Sequence, residues 1–89
     1  MNSEDIQKFL EKNSMLGTGC VQIKFKQRES IYGLFLKDQD FAYLKAKNFW
    51  RIVPQAKLDA YKNSKDSNLA RIFNGSEFSK LVTYEESFE

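Results

Sequence analysis

The stretch Cys20-Val21-Gln22-Ile23-Lys24-Phe25-Lys26 decides the fold, because apolar and polar side chains alternate along it. Successive side chains of a β-strand point to opposite faces of the sheet, so a period of two predicts a half-buried strand. The apolar residues would face a core and the two lysines would face solvent. The chain is therefore predicted to be built around a β-sheet.

The chain after Lys26 is predicted to form three more strands, at residues 31–36, 41–46 and 49–53, with Gly33 at a sharp bend. Pro54 has no N–H to donate, so it ends the fourth strand and suits the first turn of a short helix over residues 55–62. Residues 69–73 and 77–83 flank Asn74-Gly75, the dipeptide typical of a type I′ turn. They are predicted to form a closing hairpin.

Upstream of the first strand, residues 3–13 predict a helix with Asn2 or Ser3 as N-cap, joined to the sheet by a turn at residues 17–19. Ile6, Phe9 and Leu10 form its apolar stripe, which would pack over one open end of the barrel that the strands are predicted to form. Eighty-nine residues hold one hydrophobic core. We expect a single domain over residues 1–83 and a frayed acidic tail over residues 84–89.

The predicted fold is a mainly β domain with helices, in which five or six antiparallel strands curl into a small β-barrel. A plain α+β sandwich is the alternative. The predicted core consists of the apolar residues that the strand pattern turns inward: Val21, Ile23, Phe25, Leu34, Leu36, Leu44, Ile52, Ile72 and Leu81.

The amino-acid composition excludes several classes of function. The chain has no His and one Cys, Cys20, so structural zinc, a disulfide within the chain and His-based catalysis are excluded, and no enzyme activity, metal or cofactor is expected. The net charge of +2 does not by itself indicate a class of binding partner. No apolar run approaches the about 20 residues that cross a bilayer, and no signal sequence is recognisable, so we expect a cytoplasmic protein without a membrane partner.

Positive charge is concentrated in residues 20–53, which hold seven Lys and Arg against three Asp and Glu. Aromatic residues lie among these cations, and such mixtures let bases stack while cations hold phosphates. The candidate nucleic-acid-binding residues are Lys24, Lys26, Tyr43, Lys45, Lys47, Trp50 and Arg51. The alternative is that the rings are core or subunit-interface residues and the lysines form a solvated face.

The pattern Val21-x-Ile23-x-Phe25, Ile31-x-Gly33-x-Phe35 and Asp38-x-x-Phe41-x-x-Leu44 resembles the first motif of the Sm-like small barrels, an SH3-type architecture. The run Ile72-Phe73-Asn74-Gly75 followed by Phe78 and Leu81 resembles the second motif. The resemblance implies a small barrel and RNA as a partner. Residues 47–53 and 68–81 also resemble a small bacterial family with no assigned activity.

Two functions follow from the sequence. The first is a non-catalytic interaction or assembly module that binds a protein partner or itself through exposed strand edges, since no catalytic set or small-molecule site is evident. The second is single-stranded RNA binding by the basic and aromatic residues named above.

Overall fold

The computed structural model describes residues 1–14 and 19–83, so part of the predicted 17–19 turn and the predicted acidic tail lie outside the described residues. Three short 3-10 turns occupy Gln55–Lys57, Ser67–Leu69 and Gly75–Glu77. The remaining elements are three helices and five strands, in chain order α1 (Ser3–Lys12), β1 (Cys20–Phe25), β2 (Ile31–Phe35), α2 (Phe41–Ala46), β3 (Phe49–Pro54), α3 (Leu58–Ser64), β4 (Arg71–Asn74) and β5 (Phe78–Thr83).

The five strands form one antiparallel sheet in the order β4-β3-β2-β1-β5. Strands β1 to β4 are neighbours in chain order, and β5 returns to pair with β1, placing Leu81 opposite Ile23. The antiparallel sheet with helices is thus as predicted. The predicted barrel closure is wrong, because β4 and β5 lie at opposite edges of the sheet and are not paired with each other.

Helix α1 confirms the predicted N-terminal helix. The Asn2 side chain accepts a hydrogen bond of 2.8 Å from the Asp5 N–H, and acidic residues in the first turn complement the positive end of the helix dipole. Ile6 and Leu10 are buried and Phe9 packs beside them, as the apolar stripe predicted. Within the described residues no helix is long and apolar enough to span a bilayer.

The core has two parts because the sheet buries side chains on both faces. Helix α1 covers the larger cluster on one face, whereas Leu58 and Tyr61 of the α3 helix cover Leu34, Leu36 and Val53 on the other. The core prediction holds for every named residue except Ile72, which is 52% exposed on the outer strand β4. The pattern missed four further buried residues, Phe35, Trp50, Val53 and Phe78.

Residues 41–46, predicted as the third strand, instead form helix α2. The residues that face inward are Phe41 and Leu44, three positions apart, which is helical spacing. The Leu44 N–H donates to the Asp40 carbonyl at 3.0 Å and closes the first helical turn. Two inward residues over six positions also suit a short strand, so packing against the ring of Trp50 decides the outcome.

The hairpin predicted at Asn74-Gly75 is also wrong. A type I′ turn needs positive φ at both central residues, but Asn74 has φ −87° and its side chain accepts from the Ser76 N–H, starting a 3-10 turn. Gly75 is required for a different reason: a Cβ atom there would collide with the Asn48 side chain and lie 2.6 Å from Ile6 Cδ1. The turn therefore carries the chain from one edge of the sheet to the other.

Asn48 connects four parts of the chain, and we call its set of bonds the Asn48 junction. Its side-chain carbonyl accepts from Trp50 Nε1 at 2.9 Å, and its side-chain amide donates to the Met1 carbonyl at 3.0 Å. Its backbone carbonyl accepts from the Gly75 N–H at 2.8 Å. Its φ of +60° is left-handed, a conformation that Asn tolerates better than most residues.

We expect Asn48→Gly to lower the free energy of unfolding by about 1–3 kcal/mol, since glycine accepts the positive φ but leaves the buried Trp50 N–H without its acceptor. The matched control is Lys65→Gly, at another left-handed position (φ 55°) whose side chain only lies over the Tyr61 ring. Urea unfolding followed by tryptophan fluorescence measures both variants. Equal stabilities of the two variants would show that the side-chain bonds of Asn48 contribute nothing.

Candidate functional site

The seven residues predicted to bind nucleic acid lie in two groups. Lys24 and Lys26 lie on and directly after β1, whereas the other five belong to α2, β3 and the two residues between them. Strand β2 lies between β1 and β3 in the sheet. The structure therefore divides the predicted surface.

Trp50 belongs to the core and offers no platform for a base. Its side chain is 2% exposed, its ring packs edge-on against Phe35 and Phe41, and its N–H donates to Asn48. The side chains of β3 alternate, and α1 and α2 close over the face to which Trp50 points. The alternative interpretation of this ring as a core residue is confirmed.

Arg51 is held by two carboxylates. Its Nη2 lies 2.5 Å from Asp40 Oδ2, and its Nε lies 4.0 Å from Asp38 Oδ2. Both aspartates belong to the connection before α2, so the guanidinium fastens that connection to β3. The positive charge of Arg51 is therefore balanced by carboxylates of the same chain.

The lysines of α2 and its C-terminal end lie over aromatic rings. Lys47 Nζ is 4.6 Å from the centre of the Tyr43 ring and donates to its hydroxyl at 2.8 Å, and Lys45 Nζ lies 5.7 Å from the Phe41 ring centre. Tyr43 is 63% exposed. It is the one ring of the predicted set that the structure presents to solvent.

A second group of cations, on the far side of the sheet from α2, includes a residue that the sequence interpretation missed. Lys80 of β5 lies directly opposite Lys24 of β1, so both side chains leave the same face of the sheet. Lys26 continues the alternation onto that face, and its N–H donates to the Glu77 carbonyl. We call Lys24, Lys26 and Lys80, all exposed, the lysine face.

A cleft of about 420 Å³ shares Lys26 with the lysine face, although its wall residue Phe25 belongs to the core cluster on the opposite face of the sheet from Lys24. Phe25 forms part of its wall, and the Arg28 guanidinium lies 4.8 Å from the centre of that ring. Its other lining residues are polar: Gln27, Ser76 and Glu77. A planar cation over a ring beside hydrogen-bonding side chains suits a flat, polar ligand.

The α-amine of Met1 adds to the positive charge near this cleft. It donates to the carbonyls of Phe78, at 2.7 Å, and Gly75, at 3.2 Å. Burial lowers the pKa of this amine below its ordinary value of 8.0, the charge of Lys26 lowers it further, and Asp5 acts in the opposite direction. A neutral amine keeps two N–H donors, so both bonds survive loss of the proton.

We expect the free energy of unfolding to increase as the pH rises towards 8.0. The unfolded chain then holds the Met1 proton more tightly than the folded chain, and stability rises wherever the unfolded state binds more protons. Below the lowered pKa both states are protonated and this contribution is constant. The chain has no His to titrate in the same range.

Urea unfolding at a series of pH values tests this expectation. In Lys26→Gln the rise should shrink, because one of the two causes of the lowered pKa is removed. A fall in stability towards pH 8, or the same rise in both proteins, would contradict it.

Residues 1–14 and 19–83 contain no group of three or more His, Cys, Asp or Glu side chains placed to hold a metal ion. Comparison with protein-family models, curated proteins and solved structures finds no match. Candidate surfaces can therefore be identified only from the residues of this chain. They are the open edge at β4, which carries Ile72, and the lysine face with its cleft.

Proposed function

We propose that this chain is a non-catalytic interaction module that associates with a second copy of itself through strand β4. The observation that carries the proposal is Ile72, a large apolar side chain 52% exposed on an outer strand of the sheet. Exposed apolar residues on an unpaired strand edge favour the addition of another strand.

The backbone of β4 supports this mode of association. The Gly75 N–H donates to Asn48, and hydrogen-bonded positions alternate along an antiparallel pair. Phe73 and Arg71 therefore bond to β3, and the N–H and C=O of Ile72 point away from β3 towards the open edge. A partner strand would find one donor and one acceptor beside an apolar side chain.

The other edge of the sheet is less open. The Met1 amine donates to the Phe78 carbonyl at the start of β5, so a backbone acceptor on that strand already has a partner from the same chain. This difference favours β4 over β5 as the edge that accepts a strand. Two copies that pair β4 with β4 in antiparallel fashion obey a two-fold axis, the commonest symmetry of protein pairs.

The finer assignment, a likeness to the Sm-like family with the sheet left open between β4 and β5, is part of the proposal. An N-terminal helix packed on the sheet, five antiparallel strands and the return of β5 to β1 support it. Helix α3 is an addition to the pattern on which the resemblance rests, and Phe41 and Leu44 of that pattern lie in helix α2 and not in the predicted strand. Assembly of copies through strand edges is common among small β domains.

We expect the protein to associate weakly, with a Kd of about 0.1–1 mM, because a four-residue strand supplies few main-chain bonds. Sedimentation equilibrium across that concentration range measures it. Ile72→Asp should weaken association at least about tenfold, since a charge would then be buried at the contact. A strictly monomeric native protein at about 1 mM would overturn the proposal.

Two further variants distinguish strand pairing from non-specific hydrophobic association. Tyr43→Asp removes the other exposed large apolar side chain of the described residues, on α2, and should leave association unchanged. Ile72→Pro removes only an N–H that points to the open edge, so the fold should persist while association is lost. Equal loss in Tyr43→Asp and Ile72→Asp would exclude pairing at β4.

A further inference from the structure

We propose that the lysine face and the adjoining cleft bind single-stranded nucleic acid, with phosphates on Lys24, Lys26 and Lys80 and one base stacked on Arg28. The proposal concerns a different surface from β4 and does not depend on association. The residues differ from the surface predicted from sequence, of which only Lys24 and Lys26 are retained.

The first argument is the charge of the lysine face. Lys24 and Lys80 lie directly opposite each other on paired strands, where like charges destabilise a sheet. Among residues 1–14 and 19–83 the ion pairs are those of Arg51, and none of them involves Lys24, Lys26 or Lys80. A ligand with several negative charges would relieve this repulsion.

The second argument is spacing. Lys24 and Lys26 are two residues apart on an extended chain, about 6.6 Å along the strand, and Lys80 faces Lys24 across the ladder. Successive phosphates of an extended single strand have comparable separations. Ser79 forms the extra residue of the bulge between Lys80 and Phe78, and its hydroxyl donates to the Lys24 carbonyl at 3.1 Å, which fixes the two strands at this point.

The third argument is the base site. The Arg28 guanidinium lies over the Phe25 ring, 4.8 Å from its centre, and bases stack on guanidinium planes in single-stranded complexes. Gln27 and Ser76 in the same cleft can donate to base oxygens, and the Glu77 carboxylate can accept from a base N–H. Glu77 repels phosphate, so it directs the base and not the backbone into the cleft.

These features favour a single strand over a duplex. A cleft of about 420 Å³ has room for a base, but a base in a duplex is paired and stacked and cannot enter it. The phosphate and base chemistry is shared by RNA and DNA. The experiment therefore uses both.

The test is fluorescence anisotropy with labelled oligouridine and oligothymidine of about ten nucleotides, at about 20 mM and about 150 mM salt. We expect binding at low salt with a Kd below about 100 μM, and affinity that falls with a log–log slope of about −2 for three phosphate contacts. The same sequence in a duplex should bind at least about fivefold more weakly.

Lys80→Glu is the main variant because it separates binding from folding. It converts the repulsive pair with Lys24 into an attractive pair, so the Tm should rise by about 1–4 °C while affinity for the single strand falls at least about tenfold. Lys62→Glu, the same charge change at an exposed residue of α3, is the matched control and should lower affinity less than about twofold.

Arg28→Lys tests the base site, since it keeps the charge and removes the stacking plane. We expect it to weaken oligonucleotide binding about fivefold or more and to leave the binding of inorganic polyphosphate unchanged. The proposal is overturned if neither oligonucleotide binds below about 100 μM at low salt. It is also overturned if Lys80→Glu behaves as Lys62→Glu, or if Arg28→Lys leaves oligonucleotide binding unchanged.

Discussion

The fold depends on the close contact between Asn48 and Gly75. The two residues meet with no room for a Cβ atom at Gly75, and the bond from Gly75 N–H to the Asn48 carbonyl fixes the end of β4 against the start of β3. The Asn48 side chain adds the first residue of the chain and the core tryptophan to the same point. One polar residue thus sets where the chain begins on the sheet, where α2 stops and where the path turns towards β5.

Local sequence pattern is sufficient to predict α1 and the strands that pair with the next strand along the chain. The alternation at residues 21–25 and the capped stripe of Ile6 and Leu10 each follow from the period of a single element. Local pattern does not distinguish a helix from a strand at residues 41–46. Phe41 and Leu44 suit both structures until Trp50 is known to lie beneath them. Tertiary packing overrides local preference in such short segments.

Sequence pattern could not show which strands meet across the sheet. Asn74-Gly75 is a strong signal for a hairpin, and accepting it pairs residues 69–73 with 77–83, whereas β5 pairs with β1 more than fifty residues away. That one error hid Lys80 from the candidate site, since its place beside Lys24 exists only in the long-range pairing. Trp50 was misassigned for a related reason: a ring among lysines in sequence need not be a ring among lysines in space.

The two proposed surfaces lie at opposite edges of one sheet and therefore do not compete. The Ile72 side chain projects from the same face of the sheet as the side chains of Lys24 and Lys80. This follows from the strand registers, because directly opposed residues share a face along every pair from β4 to β5. Antiparallel pairing of two β4 strands would continue that face into the second copy, so both lysine faces would lie on one side of the joined sheet. A single strand long enough to reach both would gain affinity by an effective-concentration effect, without any new contact. Weak association at β4 and modest phosphate binding at each lysine face would then reinforce each other through the geometry of a shared sheet.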